Sequence, residues 1–470
     1  MPSLSLAEGD QNKLAGNTSE MDVPTLRQIL VMGAAGSLAG KFQTAYELFR
    51  QRGVAIYAAD ILPESDFKPK FTGFEGYFNL TLQADRQKLS ALGNTQRFDL
   101  VYHSTWPEAH VLDAVGWDHI TDLNIVAKPF AAIEQYQTLR ALMELPAYQS
   151  VVKKLLLHDH YVNKPGLEAV VKSLPQAHKR YGKFARMVLF ITERRTVNDE
   201  EHRKNALTGG MIADLDSHAV MTIQRLVPSG LIWEDDQGHR IMRISRQLEP
   251  TACVRAQMRN AICDEEVDTA CVVEYRITET LRMVRQDGTA LGAPARNVFY
   301  ALVVCAKGLR ADVDIERDLK AIEISFQGQG RSTGIVDLES NTLNEVLQAI
   351  PGMVTPDAGT RCHKGVNRPM FDVVQRWREF ATDTVLKEQL FPAQEQVWEN
   401  MKLLWQTMSI KPKGVLLPTY GPSDLIHHFV NTHIGPTNHF QYFGHEGSGW
   451  PVKEAPLHLI RGQVSASQIP

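Results

Sequence analysis

The reactive groups of this sequence are concentrated between Leu157 and Lys164, which reads Leu-His-Asp-His-Tyr-Val-Asn-Lys. Two imidazoles, a carboxylate, a phenol and an ammonium share this run: His158, Asp159, His160, Tyr161 and Lys164. Such groups move protons or hold anions. Two other segments are best understood as partners of this one. One is a glycine-rich turn, Gly33-Ala34-Ala35-Gly36-Ser37-Leu38-Ala39-Gly40-Lys41, and the other runs from Gly209 to His218 through Asp214. All three are expected to meet in one site.

The elements that must position them begin with a short apolar run, Ile29 to Met32, which leads directly into the glycine turn. An amphipathic helical pattern follows, with Phe42, Ala45, Tyr46, Leu48 and Phe49 on its apolar side. Strand, glycine turn and helix together suit a dinucleotide. A pyrophosphate approaches the backbone where no Cβ intervenes, and a helix start offers free N–H groups. Gly33, Ala35, Gly36, Ser37 and Leu38 are the residues expected to line it. A second strand from Val54 ends at Asp60, about twenty residues after the turn, where a carboxylate can accept from the ribose of NAD and would repel the 2′-phosphate of NADP.

Strand-like runs at Leu100 to His103 and Ile125 to Ala127 alternate with helical patterns at Pro107 to Val115 and Ile133 to Leu142. That alternation predicts a doubly wound parallel sheet. Ser104 and Thr105 then fall at its C-terminal edge, beside the expected dinucleotide. Lys128, followed by Pro129, closes the next strand and points into the same crevice.

Beyond residue 164 the pattern changes. Runs at Met187 to Thr192, Ile241 to Ser245, Val272 to Thr278, Val298 to Cys305 and Ala321 to Phe326 are separated by turn-forming segments rather than by helices. A second, mainly antiparallel sheet is predicted, with helices from Leu343 to Ile350 and Val373 to Met408 packed on it. The expected division is a tail over 1–24, a dinucleotide-binding domain over 25–152 and a substrate and oligomerisation domain over 153–470.

At 470 residues the chain is long enough for two such domains. With 43% hydrophobic and 22% charged residues it is globular in composition, and a net charge of -4 gives no reason to expect nucleic acid or an anionic membrane as partner. The five cysteines form no Cys-x-x-Cys pair and are expected to be reduced core thiols, with no metal. No signal peptide or membrane-length apolar run is evident, so a cytoplasmic location is expected.

The order of these motifs resembles the glucose-6-phosphate dehydrogenase family. Its Gly-Ala-Ser-Gly-Asp-Leu-Ala turn corresponds to Gly33 to Ala39, and its Glu-Lys-Pro-Phe-Gly to Ala127-Lys128-Pro129-Phe130-Ala131. Its Asp-His-Tyr-Leu-Gly-Lys-Glu corresponds to Asp159-His160-Tyr161-Val162-Asn163-Lys164-Pro165. The resemblance implies His218 as the base that takes a hydroxyl proton and Asp159 as the carboxylate that orients it, with Lys128 beside them. It implies His160, Tyr161 and Lys164 as a phosphate anchor, and Glu193 and Lys307 as further substrate contacts.

The departures are at the sugar ring. The family's aspartate five positions before the histidine falls on Ala213, its acid before Lys-Pro on Ala127, and the glutamate after its phosphate-binding lysine on Pro165. The segment Gly209 to His218 also resembles the Gly-Gly-x-x-x-Asp-x-x-x-His of glucose-fructose oxidoreductases and inositol dehydrogenases. On an α-helix Asp214 and His218 share one face, which would make Asp214 a second acid in the site. The expected function is NAD-dependent oxidation of a phosphorylated sugar at its anomeric carbon, giving a 6-phospho-lactone. Oxidation of a ring secondary hydroxyl is the alternative, and an inactive nucleotide or sugar-phosphate binder is the alternative of another class. The resemblance also implies a homodimer or homotetramer.

Overall fold

β1 (Gln28–Met32) is buried at all five positions, as a strand covered on both faces requires. The computed structural model describes residues 26–40, 42–64, 73–192, 210–259, 266–306, 319–328, 332–338 and 391–410. Five further strands join β1: β2 (Ala55–Asp60), β3 (Gly76–Asn79), β4 (Leu100–His103), β5 (Asn124–Ala127) and β6 (Leu155–His158). They pair in parallel in the order β3-β2-β1-β4-β5-β6. The order reverses between β1 and β4, and in such sheets the crevice outside the strand C-termini at that point is where ligands bind.

Helices cross over between the strands: α1 (Ser37–Gly40), α2 (Gln43–Gln51), α3 (Gln83–Thr95), α4 (Pro107–Gly116), α5 (Tyr136–Glu144) and α6 (Gln149–Lys154). On α2 the predicted apolar side is real, since Phe42, Ala45, Tyr46 and Phe49 are wholly buried against β1, β2 and β4. The parallel sheet runs past residue 152, because α6 passes directly into β6.

The second sheet has the order β13-β12-β7-β11-β10-β9-β8. Its strands are β7 (Phe184–Thr192), β8 (Ile232–Glu234), β9 (Arg240–Arg259), β10 (Glu266–Val284), β11 (Ala290–Ala306), β12 (Leu319–Phe326) and β13 (Ser332–Asp337). β7 and β11 are parallel and every other pair is antiparallel. The predicted architecture of a doubly wound sheet joined to a mainly antiparallel one is therefore the one observed. One face packs Met187, Leu189, Val273, Tyr275, Val303 and Ile322 into the largest core. That core also takes in α7 (Pro165–Tyr181) and α8 (Ser217–Leu226).

α9 (Gln394–Ser409) joins the two halves. Val397, Trp398 and Met401 pack with Phe130 and Leu157 of the first sheet's side, while Leu403 and Leu404 enter the core of the second sheet. The Trp398 ring meets Phe130 edge-on at 5.2 Å. The helices predicted over Leu343 to Ile350 and the earlier part of Val373 to Met408 lie outside the described residues. Among the described residues no helix is long and apolar enough to cross a membrane.

Candidate active site

Gly33 leaves β1 with φ of +71°, and a Cβ there would lie 2.7 Å from the backbone of Ser104 and Thr105. Only glycine allows the two loops this close. At Gly36 a Cβ would come within 2.9 Å of the Gly33 carbonyl. Asp60 ends β2 and is buried; its Oδ2 accepts from the Ala35 amide at 2.9 Å and its Oδ1 from Leu62 at 3.1 Å. The carboxylate thus shapes the glycine turn from the adjacent strand and keeps lone pairs for a ligand. Ser37 and Leu38 open the single helical turn that follows.

Ser104 donates its hydroxyl to the carbonyls of Met32 and Gly33, at 3.0 and 3.1 Å. Thr105 donates to Asp113 at 3.0 Å. Both protons are therefore committed within the protein, and these residues offer a ligand only backbone groups and hydroxyl lone pairs.

Lys128 directly follows β5, and the Lys128–Pro129 peptide is cis. Its ammonium donates to Asp214 Oδ1 at 2.8 Å and also to the Asp214 carbonyl. Asp159 follows β6, next to the end of β5. It accepts from His218 Nδ1 at 2.6 Å and from the Tyr161 amide at 2.8 Å. Because a carboxylate only accepts, His218 carries its hydrogen on Nδ1 and presents the Nε2 lone pair. The proposed base and its orienter, 59 residues apart in sequence, are in direct contact.

The local structure around His218 differs from the expected α-helix. Ile212–Asp216 is a π-helical turn, and α8 begins only at Ser217. The wider π turn inserts a residue relative to α geometry. Asp214 is consequently held by Lys128, while His218 turns to Asp159. Ala213 is wholly buried in the core, so no carboxylate stands where the resembled family has one.

Burial pushes Asp159 up to about 6, opposed by the Tyr161 amide and by Lys128, His158 and Lys164. Burial also holds His218 well below the ordinary histidine range. Lys128 adds to this, Asp214 opposes it, and Lys164 and Lys320 reinforce it. These influences together favour the neutral imidazole.

Around this pair, the Tyr161 ring stacks on His218 at 3.8 Å and carries the Lys164 ammonium at 4.6 Å. His160 meets His218 edge-on at 4.8 Å. Tyr161 and Lys164 are buried, and His160 is half-buried. Ligand atoms of Asp159, His160 and His218 lie within 4.8 Å of one another, a spacing a metal ion can use. The field of Lys128, Lys164 and Lys320 on His218 makes the surroundings better suited to an anion.

Glu193 and Lys307 lie outside the described residues. Each is the next residue after a described strand, and the last residues of those strands, Thr192 and Ala306, are register partners. Two site residues escaped sequence reasoning. Lys320 is buried on β12, where the period-2 pattern places it with Ile322 and Ile324 on the core-facing side; a lysine there was the signal. His110 is buried in α4 between two loop carbonyls.

No family model matches the chain, and no curated protein matches its sequence. Solved structures do. An oxidoreductase from Thermotoga maritima has a TM-score of 0.51 at 10% identity, over 82% of this chain and 96% of that one. A glucose-6-phosphate dehydrogenase in complex with glucose-6-phosphate has 0.51 at 12%, over 83% and 93%. Apo scyllo-inositol dehydrogenase from Lactobacillus casei has 0.50 at 12%, over 82% and 96%. Both groups suggested by the motifs are represented, and the fold favours neither. At these identities the likeness is one of fold: a six-stranded dinucleotide-type sheet joined to a mixed sheet.

Proposed function

We propose that this chain is a nicotinamide-dinucleotide-dependent dehydrogenase acting on a hydroxyl-bearing carbon of a sugar or sugar phosphate. The observation that carries the proposal is the buried His218–Asp159 pair beside the Lys128–Asp214 ion pair, at the C-terminal edge of the parallel sheet. The fold's likeness to solved oxidoreductases supports it.

The glycine turn, the Gly33 close approach and Asp60 fit a dinucleotide, which when bound supplies the hydride acceptor. His218 Nε2 takes the hydroxyl proton as hydride leaves the same carbon, and Asp159 stabilises the imidazolium that forms. Lys128, held in place by Asp214, donates to the oxygen on which carbonyl character develops. Asp60 favours NAD over NADP.

For the substrate, His160, Tyr161 and Lys164, with Lys320, would anchor a phosphate. Oxidation at the anomeric carbon then gives a phospho-lactone. A second reading, oxidation of a ring secondary hydroxyl, is favoured by one specific feature: Asp214 contributes a second acid through Lys128.

The test is nicotinamide reduction by the full chain with hexose phosphates, free hexoses and inositols, each with NAD and NADP. No reduction with any of them would overturn the dehydrogenase reading. Turnover of unphosphorylated polyols alone would remove the phosphate anchor, and preference for NADP would remove the role of Asp60.

A further inference from the structure

His110 lies in α4, 2% exposed, with each ring nitrogen facing a main-chain carbonyl. Nδ1 is 2.9 Å from the oxygen of Pro129, and Nε2 is 3.0 Å from that of Thr105. Carbonyls only accept, and burial keeps the ring neutral with a single N–H, so the ring donates to one of the two oxygens and rests against the other. The two carbonyls belong to different loops with different duties. Thr105 is in the loop packed against Gly33, and Pro129 follows Lys128, whose ammonium is held by Asp214. Direct contacts therefore run from the glycine turn through Ser104 and Thr105, His110, and Pro129 with Lys128 to the π turn that precedes His218.

We propose that His110 is a positioning residue that couples the loop beside the glycine turn to Lys128, so that occupancy by a dinucleotide is felt at the catalytic ammonium. This rests on the reading of Lys128 and the glycine turn under the proposed function. His110 acts through the two loops and touches no reacting atom.

The test compares the full chain with His110→Phe, which keeps a ring and removes its N–H, and His110→Gln, which restores a donor. Backbone amide hydrogen exchange is followed across 104–106 and 128–131. In His110→Phe both segments should exchange about tenfold faster or more, together, while β1 is unchanged; His110→Gln should recover part of the protection. Acceleration at one segment alone, or equally throughout the parallel sheet, overturns the coupling. If His110→Phe does not fold, the same comparison is made with His110→Gln.

In kinetics, His110→Phe should lower kcat by about tenfold to a hundredfold. That loss should vanish in a Lys128→Met background, and a fully additive loss overturns the proposal. Exchange needs no turnover. A chain without dehydrogenase activity would overturn the proposed function, while the exchange result would still decide the role of His110.

Discussion

One oxygen of Asp159 serves two donors, His218 Nδ1 and the Tyr161 amide, while the other, Oδ2, is buried and has no hydrogen-bond partner among the described residues. The carboxylate therefore dictates which His218 nitrogen holds the proton. In Asp159→Asn the side chain can turn an N–H toward Nδ1, which forces the proton onto Nε2 and removes the proposed base. kcat should fall by roughly a thousandfold to ten-thousandfold, with dinucleotide affinity retained. Steady-state kinetics and dinucleotide titration check this, and a loss below about tenfold would show that Asp159 does not set the tautomer.

The Lys128–Asp214 pair acts on His218 with opposite signs. Lys128 holds its pKa down and Asp214 pulls it up. Lys128→Met should therefore move the ascending limb of the kcat/KM profile to higher pH, and Asp214→Asn should move it to lower pH. Both variants should also lose kcat, by about tenfold or more. Limbs that shift in the same direction would contradict the arrangement.

Acid should destabilise this protein. Burial takes His103, His110 and His158 down to about 4 and His178 to about 3. The unfolded chain protonates its histidines near 6.5, before the folded chain does. Their contribution is thus complete above about 6.5 and is lost as pH falls toward 4. Asp159 and Asp216, raised by burial to about 6 and about 7, oppose this, since their contribution is lost as pH rises through those values. Four groups outweigh two, and Tm should fall between pH 6.5 and 4. His103→Gln, which can still donate to Asn124, should give a shallower decline in a calorimetric series.

Gly33→Ala places a methyl group 2.7 Å from the Ser104–Thr105 backbone at a positive φ. Backbone cannot swing aside as a side chain can. Unfolding in denaturant should show a loss of about 2 to 4 kcal/mol. A change under about 0.5 kcal/mol would mean that the two loops are not packed as closely as observed.

Most of the parallel sheet was legible because its strands are short apolar runs punctuated by turns and helices, and β4 is found where the sequence places it, at Leu100–His103. β3 was not, since Gly76 and Asn79 break its alternation. β6 was hidden because Leu155 to His158 leaves α6 without a turn, so that His158 reads as part of the ionisable cluster rather than as a strand end. The contact between Asp159 and His218 followed from a family likeness, not from spacing. The π turn carried no signal at all: apolar periodicity reports α or β geometry, and a single inserted residue leaves the residue types unchanged. Lys320 was signalled by its place among the core-facing residues of β12, whereas His110 could be recognised only through what its surroundings do to it.

α9 carries a consequence for how the protein comes into being. Asn400 donates to the carbonyl of Ser217, directly before His218, and Trp398 packs on Phe130, two residues after Lys128. Both halves of the candidate catalytic machinery thus lean on residues made far later than themselves. During synthesis the parallel sheet can fold as soon as β6 has left the ribosome, but in a nascent chain the candidate site stays without the support of α9 until residue 409 has emerged.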